Sequence, residues 1–210
     1  MTAANVYLQR PDETVKAESP LHHAGFPELI GKGPANAGVT LREKALQGHL
    51  TLRGDSRDAG FAEGVHRALG LELPAALCVV SQGERSIQWM SPDEFLIIVP
   101  RGEEFRIEQD LRAALDGQHI QVVNVSGGQT ILELSGPRAR DVLMKSTSYD
   151  VHPNTFPVGK AIGSIFAKSS LYIRHTGEDT YELLVRRSFA DYTWAWLQDA
   201  SGEYGLAITA

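Results

Sequence analysis

The hydrophobic pattern near the C-terminus predicts one buried strand followed by an amphipathic helix. Tyr181 to Val185 is a short, mainly apolar run, and the chain turns at Arg186-Arg187. Ser188 is placed to cap the helix that follows, with Asp191 in its first turn. At about 100° per residue, one side of this helix carries Phe189, Tyr192, Thr193, Trp196, Leu197 and Ala200.

The same order of strand, turn and helix occurs several times along the chain. Strands are predicted at 50–53, 94–99, 131–134 and 181–185, each leading into a helix with apolar positions three or four residues apart. The two halves match as strand, glycine turn, helix, strands, charged turn and helix. This repetition predicts an α+β fold of duplicated βαββαβ-like (ferredoxin-like) modules, with the first module at 49–120 and the second at 121–210.

Turn residues suggest how these elements begin and how they are joined. Asp55 is placed to cap the first helix, which is predicted to end at Gly70. The turn Ser126-Gly127-Gly128-Gln129 is interpreted as a hairpin between strands at 121–125 and 130–134, because it is too short for a phosphate loop and no lysine follows on a helix.

Residues 1–48 differ in composition from the rest of the chain, because proline and glycine interrupt them throughout. Such a segment cannot build its own core, and its few apolar side chains favour an extended N-terminal arm that lies on another surface. The anchors of the arm are predicted to be Leu21, Phe26, Leu29 and Ile30. Trp194 projects near the polar edge of its helix, where it either packs under a neighbouring loop or contacts another protein chain.

Composition narrows the class of protein. The 210 residues are 42% hydrophobic and 22% charged, which is typical of a globular protein, and the net charge of −6 argues against a nucleic-acid surface. The single cysteine, Cys78, lies in an apolar run and is interpreted as a buried small side chain in a reducing cytoplasm. We expect neither a secretory signal nor a membrane span.

Few residues in the sequence suggest a catalytic or metal-binding role. His22-His23 has no neighbouring acidic or cysteine cluster, so no metal site is predicted. Asp150 and His152 form either an acid–base pair or local contacts within a loop, and the second reading is favoured. Because nucleophile elbows, dinucleotide fingerprints and paired cysteines are missing from the sequence, no catalytic and no cofactor-binding residue is predicted.

Several segments together resemble the gamma subunits of heterotetrameric sarcosine oxidases. Their order and spacing carry the resemblance, which covers roughly residues 40–205. The segments are 89–96 (Trp-Met-Ser-Pro-Asp-Glu-Phe-Leu), 134–143 (Leu-Ser-Gly-Pro-Arg-Ala-Arg-Asp-Val-Leu), the loop 150–159, and 185–192 with Trp194, Trp196 and 203–205. More distantly, 134–143 resembles the folate-binding module of aminomethyltransferases.

The resemblance implies a non-catalytic gamma subunit that assembles with alpha, beta and delta subunits. Such complexes convert sarcosine, oxygen and tetrahydrofolate to glycine, hydrogen peroxide and 5,10-methylenetetrahydrofolate. The resemblance also implies that FAD, FMN, NAD, tetrahydrofolate and zinc belong to the other subunits. This chain departs from the folate-using relatives in being shorter and in having no residue that matches their catalytic carboxylate.

A second hypothesis is a free-standing folate-binding carrier of aminomethyl or one-carbon groups. Asp93, Glu94 or Glu182 would then anchor the pterin by paired hydrogen bonds, although each is also an ordinary carboxylate at a turn or strand edge. A role in tRNA maintenance is a more distant alternative, because the acidic balance provides no basic surface.

Overall fold

The computed structural model describes residues 16–210, which form two β-sheets with helices on their outer faces. The helices are α1 (Phe26–Leu29), α2 (Ala59–Leu69), α3 (Glu104–Ala114), α4 (Ala139–Ser146) and α5 (Ala190–Ser201), with short 3-10 turns at His22–Ala24 and Arg187–Phe189. The strands are β1 (Val39–Lys44), β2 (Gly48–Arg53), β3 (Val79–Gln82), β4 (Arg85–Ser91), β5 (Glu94–Val99), β6 (Gln121–Asn124), β7 (Gln129–Ser135), β8 (Ala161–Phe166), β9 (Ser169–Gly177), β10 (Thr180–Arg186) and β11 (Leu206–Ile208).

The two sheets repeat one arrangement. The first sheet has the strand order β3-β4-β5-β2-β6, and the second has β8-β9-β10-β7-β1-β11. If β1 is set aside, each strand of the first sheet has an equivalent in the second, with α2 and α3 equivalent to α4 and α5. The α+β fold with a duplicated module is therefore confirmed, and each copy holds three strands between its two helices.

The second sheet contains one strand that the first sheet lacks. Strand β1 lies between β7 and β11, antiparallel to β7 and parallel to β11. Val39 and Leu41 point into the core on the helix side, whereas Arg42 and Lys44 alternate to the opposite face. This alternation makes residues 39–44 a good interior strand, although the surrounding sequence is rich in glycine and proline.

The sheet pairings correct the predicted boundaries at two points. Strand β1 falls within 1–48, so the segment predicted to be an arm supplies an interior strand of the second sheet, and its first fifteen residues lie outside the described part of the chain. Strand β6 falls within the predicted second module but pairs with β2 in the first sheet. In both cases the hydrogen-bonding partner along the sheet, not the position in sequence, decides where the strand belongs.

The predicted hairpin at 126–129 is wrong. Strands β6 and β7 belong to different sheets, so this turn carries the chain from one sheet to the other. The crossing is fixed by backbone hydrogen bonds from Val125 N to His49 O at 2.9 Å and from Arg187 N to Gly128 O at 2.9 Å. Glycines favour tight turns of either kind, so the local sequence does not distinguish a hairpin from a crossing.

Two predicted helix starts are shifted along the chain. Helix α2 is capped by Asp58, whose carboxylate accepts from the amides of Gly60 and Phe61, rather than by Asp55. Helix α5 begins at Ala190, so Ser188 lies in the preceding 3-10 turn instead of at the cap. Gly70 does end α2 in the left-handed conformation, as predicted.

Three apolar layers hold the molecule together. The first sheet packs on α2 and α3, and the second packs on α4, α5 and the described part of the arm. A smaller layer lies between the sheets and contains Leu96, Ile98, Ile131 and Leu184. The sheet edges also meet, since Val79 N donates to Gly159 O at 2.9 Å and the amide of Ala161 donates to Leu77 O at 2.8 Å. Across residues 16–210, the longest apolar helical stretch is too short to cross a bilayer.

Candidate functional site

The predicted anchors of the arm pack mainly within this chain. Leu21 is 1% exposed and Phe26 is 7% exposed, and both belong to the core beneath α4 and α5. Leu29 is half-buried against the same core. The chain's own second sheet and helices therefore cover the apolar surface of Leu21 and Phe26, and partner contact at these positions stays a prediction.

Trp194 and Ile30 differ in their surroundings. The Trp194 ring is half-buried and packs on Phe26 with a centroid distance of 4.8 Å, and its contact with another protein chain stays a prediction. Ile30 is 44% exposed and is the one predicted anchor that still presents a large apolar surface. Its contact with a partner chain stays a prediction.

The histidines of the arm bind different carboxylates. His22 lies 3.2 Å from Glu18, whereas His23 lies 2.7 Å from Asp191. The two rings meet edge to face at 5.6 Å. Throughout residues 16–210, no three His, Cys, Asp or Glu side chains are grouped closely enough to hold a metal ion.

Asp150 and His152 make the local contacts of a loop. The Asp150 carboxylate accepts from the Thr155 hydroxyl at 2.7 Å and from the His152 amide at 3.0 Å. The Thr155 hydrogen bond is the main reason why the pKa of Asp150 lies below its ordinary value. Because the carboxylate accepts from the His152 backbone, these contacts favour the loop interpretation over an acid–base pair.

The three carboxylates considered as pterin anchors lie at different places on the molecule and do not form one site. Asp93 is exposed and lies 2.6 Å from Arg53 in a turn. Glu94 and Glu182 line two different hollows between the sheets. A single ring system would therefore not reach all three, although each hollow is itself large enough to admit a small molecule.

The two hollows lie on either side of the apolar layer between the sheets. One hollow has a volume of about 620 Å³, and its lining includes Met90, Leu96, Val125, Ile165 and Tyr172. The polar hollow has a volume of about 500 Å³, and its charged wall is formed by Lys44, Glu133, Arg174 and Glu182. The polar hollow is therefore the part of the inter-sheet space that is lined by several charged side chains.

The charged wall is a ladder of side chains across four adjacent strands. Arg42 on β1 stands opposite Glu133 on β7, Glu133 stands opposite Glu182 on β10, and Glu182 stands opposite Arg174 on β9. Two carboxylates in register repel each other, so neighbouring cations are needed to hold them together. Lys44 supplies one of these cations, with its ammonium 2.7 Å from Glu182.

The two ends of this ladder differ in their hydrogen bonding. Arg42 donates to both Glu133 oxygens, at 2.7 and 2.9 Å, and these hydrogen bonds raise the pKa of its guanidinium. Arg174 is 2% exposed, and its Nε lies 3.3 Å from Glu182 Oε2 without the alignment of a hydrogen bond. Burial lowers the pKa of Arg174, and the charge of Glu182 opposes that effect.

The first sheet adds a buried histidine near this ladder. His49 is 1% exposed, and burial is the main reason why its pKa falls to about 4, with the charge of Arg174 adding to the shift. Within residues 16–210, neither ring nitrogen of His49 has a hydrogen-bond partner. The ring is therefore neutral at physiological pH.

We expect His49 to make the folded state sensitive to acid. The unfolded histidine takes up its proton near pH 6.5 and the folded one only near pH 4, so stability present above pH 6.5 is lost as the pH falls toward 4. The full effect is about 3 kcal/mol of unfolding free energy. Urea unfolding at several pH values should show a steeper loss in the natural protein than in His49→Met, and equal slopes would contradict the assignment.

The sequence identified part of this ladder. Glu182 is one of the carboxylates that the sequence offers as a pterin anchor, whereas Arg174 is not singled out by its sequence. Arg42 and Lys44 were missed because they lie in the segment interpreted as an arm. The alternation of apolar and polar residues over 39–44 could have identified this strand, but such a pattern is weak evidence in a run of only six residues.

Comparison with known proteins gives matches along most of the chain. The profile of the "Sarcosine oxidase, gamma subunit family" matches residues 53–203. The sarcosine oxidase subunit gamma of Corynebacterium sp. (strain P-1) is 36% identical over 195 residues, covering 92% of this chain and 94% of that protein.

Solved structures show the same similarity in three dimensions. A chain of the heterotetrameric sarcosine oxidase from Corynebacterium sp. U-96 superposes with a TM-score of 0.81 at 33% identity, covering 92% of this chain and 99% of that chain. Aminomethyltransferase T of the glycine cleavage system from Bartonella henselae superposes with a TM-score of 0.66 at 15% identity, covering 90% of this chain and 58% of that chain. The second similarity shows a shared fold.

Proposed function

Because the chain belongs to the sarcosine oxidase gamma subunit family, we propose that it is the gamma subunit of a cytoplasmic, heterotetrameric sarcosine oxidase with alpha, beta and delta partners. The observation that carries this proposal is the end-to-end match, in sequence and in fold, with a chain of such a heterotetramer. A match over nearly the whole of both chains supports a shared role better than a match to one motif.

The proposed complex converts sarcosine, oxygen and tetrahydrofolate to glycine, hydrogen peroxide and 5,10-methylenetetrahydrofolate. In this proposal the flavins, NAD, folate and zinc are held by the other subunits, and the gamma chain is not catalytic. The buried carboxylates support this division, because Glu133 and Glu182 are engaged by cations of their own sheet.

The proposed contribution of the gamma subunit is to assemble and enclose the complex. Exposed apolar side chains support this role, because a partner chain would remove them from water. They lie at Ile30, Leu77, Val123, Met144, Val158, Ile165 and Phe189.

Co-expression tests the proposal. The tagged chain, produced together with the candidate alpha, beta and delta chains, should elute as one complex that contains all four and oxidises sarcosine. Omitting the gamma chain should lower the yield of assembled complex, because its partner surfaces would remain exposed. A gamma chain that stays a stable monomer without affinity for the others, and binds tetrahydrofolate at micromolar concentration in calorimetry, would instead favour the carrier hypothesis.

A further inference from the structure

Strand β8 lies at one edge of the second sheet, where its single neighbouring strand is β9. The turn of two residues between Phe166 and Ser169 makes these two a hydrogen-bonded pair, and such pairs alternate along an antiparallel ladder. The backbone groups of Gly163 and Ile165 therefore point away from β9. Among residues 16–210, no second strand pairs with β8 on that side.

Neighbouring segments close both ends of this edge and leave its middle open. The amide of Ala161 donates to Leu77 O at 2.8 Å, and the amide of Ala167 donates to Ser146 O at 2.6 Å. The open stretch between these contacts carries Ile165, whose side chain is 62% exposed. An apolar, β-branched side chain thus stands in water beside unpaired backbone groups.

The other edges of the two sheets are covered or end in polar residues. On β6, Arg112 donates to Val122 O at 2.6 Å, and on β11 a bridge joins Ile208 to Ile30. Strand β3 is four residues long and ends in exposed serine and glutamine. Strand β8, Ala-Ile-Gly-Ser-Ile-Phe, has no charge and no proline, and it pairs with β9 without a register shift. Proteins usually protect such an edge, so its exposure indicates that another segment covers it.

A hollow adjoins the open edge on the side that faces the first sheet. It is the hollow of about 620 Å³, and Gly163, Ile165 and Tyr172 belong to its lining. A strand paired with β8 would place alternate side chains on the same face as Ile165. One of them would enter the hollow opposite Gly163, which has no side chain of its own. Glu94 and Arg186 also line the hollow and carry opposite charges, so an uncharged side chain suits it.

We propose that the open edge of β8 pairs with an extended segment of one of the other subunits, as an added strand with an apolar side chain in the adjoining hollow. This inference rests on the proposed function, which supplies the partner. In strand addition the main-chain hydrogen bonds provide affinity, and a pocket for an alternate side chain provides specificity.

Lysines beyond both ends of the open edge favour another subunit over a second copy of this chain. Two copies paired antiparallel about Ser164 would set Gly163 opposite Ile165, but they would also set Lys160 opposite Lys168. Like charges opposite each other destabilise a strand pair. An acidic side chain near each end of the added segment would instead face a lysine. The expected occupant is therefore apolar at its centre and acidic toward its ends.

Ile165→Lys tests the added strand in the co-expressed complex. Lysine on an edge strand opposes pairing and removes the apolar contact, so the yield of complex that contains the gamma chain should fall at least about tenfold. The isolated variant should keep the urea midpoint of the natural chain, because Ile165 is exposed. Gln121→Lys, on the edge strand β6 that Arg112 covers, is the matched control and should assemble as the natural chain does.

Hydrogen exchange measured by mass spectrometry tests the backbone pairing itself. The amides of Gly163 and Ile165 should exchange rapidly in the isolated chain, and assembly should slow them at least about tenfold. Equal exchange in the free and assembled chain, or full assembly of Ile165→Lys, would overturn this proposal and leave the proposed function intact. A natural chain that does not assemble with the other subunits would overturn both. An isolated natural chain that is a dimer, and that Ile165→Lys makes monomeric, would assign the edge to a second copy and overturn the choice of partner.

Discussion

Replacing Glu182 by glutamine is expected to lower the free energy of unfolding by about 3–5 kcal/mol, because it leaves Arg174 buried without its counter-charge. Glu182 is 5% exposed and is the carboxylate that both Lys44 and Arg174 contact. Glutamine keeps the size of the side chain, so the loss reports the charge and not a cavity. Urea unfolding of the purified chain at neutral pH measures the change.

The matched control for Glu182→Gln is the double variant Arg174→Met/Glu182→Met. Apolar side chains of similar volume avoid the cost of burying a charge, so the double variant should be far more stable than Glu182→Gln. If the two variants were equally destabilised, packing around residue 182 would explain the loss, and the ion pair would not.

Truncating Leu21 to alanine is expected to cost about 2–5 kcal/mol of unfolding free energy, because the side chain is completely buried in the core between the second sheet and its helices. The loss should appear in the isolated chain, since the contacts of Leu21 are made within it. Thermal or urea unfolding of the purified variant measures it.

Ile30→Ala is the control for Leu21→Ala. Ile30 is exposed, so its truncation should change the stability of the isolated chain by no more than about 0.5 kcal/mol. If Leu21→Ala kept normal stability but failed to assemble with the other subunits, Leu21 would not be a core residue of this chain. Its role would then be contact with a partner chain.

The repeat could be predicted because its strands and helices have distinct periods. The apolar run at 94–99 and the spacing of Ile107 and Leu111 each match one regular structure, and both elements, β5 and α3, are confirmed. The position of β1 could not be predicted in this way. Its six residues pair with strands that follow far along the chain, and no local property of residues 39–44 specifies those partners.

The polar hollow was predictable only in part, because it is assembled from strands of both sheets. The sequence shows that Glu182 and Arg174 lie on strands, but whether they stand opposite each other depends on the register between β9 and β10. Likewise, Phe26 and Trp194 are apolar in any reading. Only the path of the arm shows that the two rings pack against each other.

The interior place of β1 has a consequence for how the chain folds during synthesis. Val39 is synthesised long before its neighbour Leu206 on β11, because the two paired residues lie far apart in the sequence. The first sheet draws all its strands from 48–124 and is complete much sooner. The second sheet therefore closes late through contacts of very high sequence separation, and this closure is the slow step that we expect to be most exposed to aggregation.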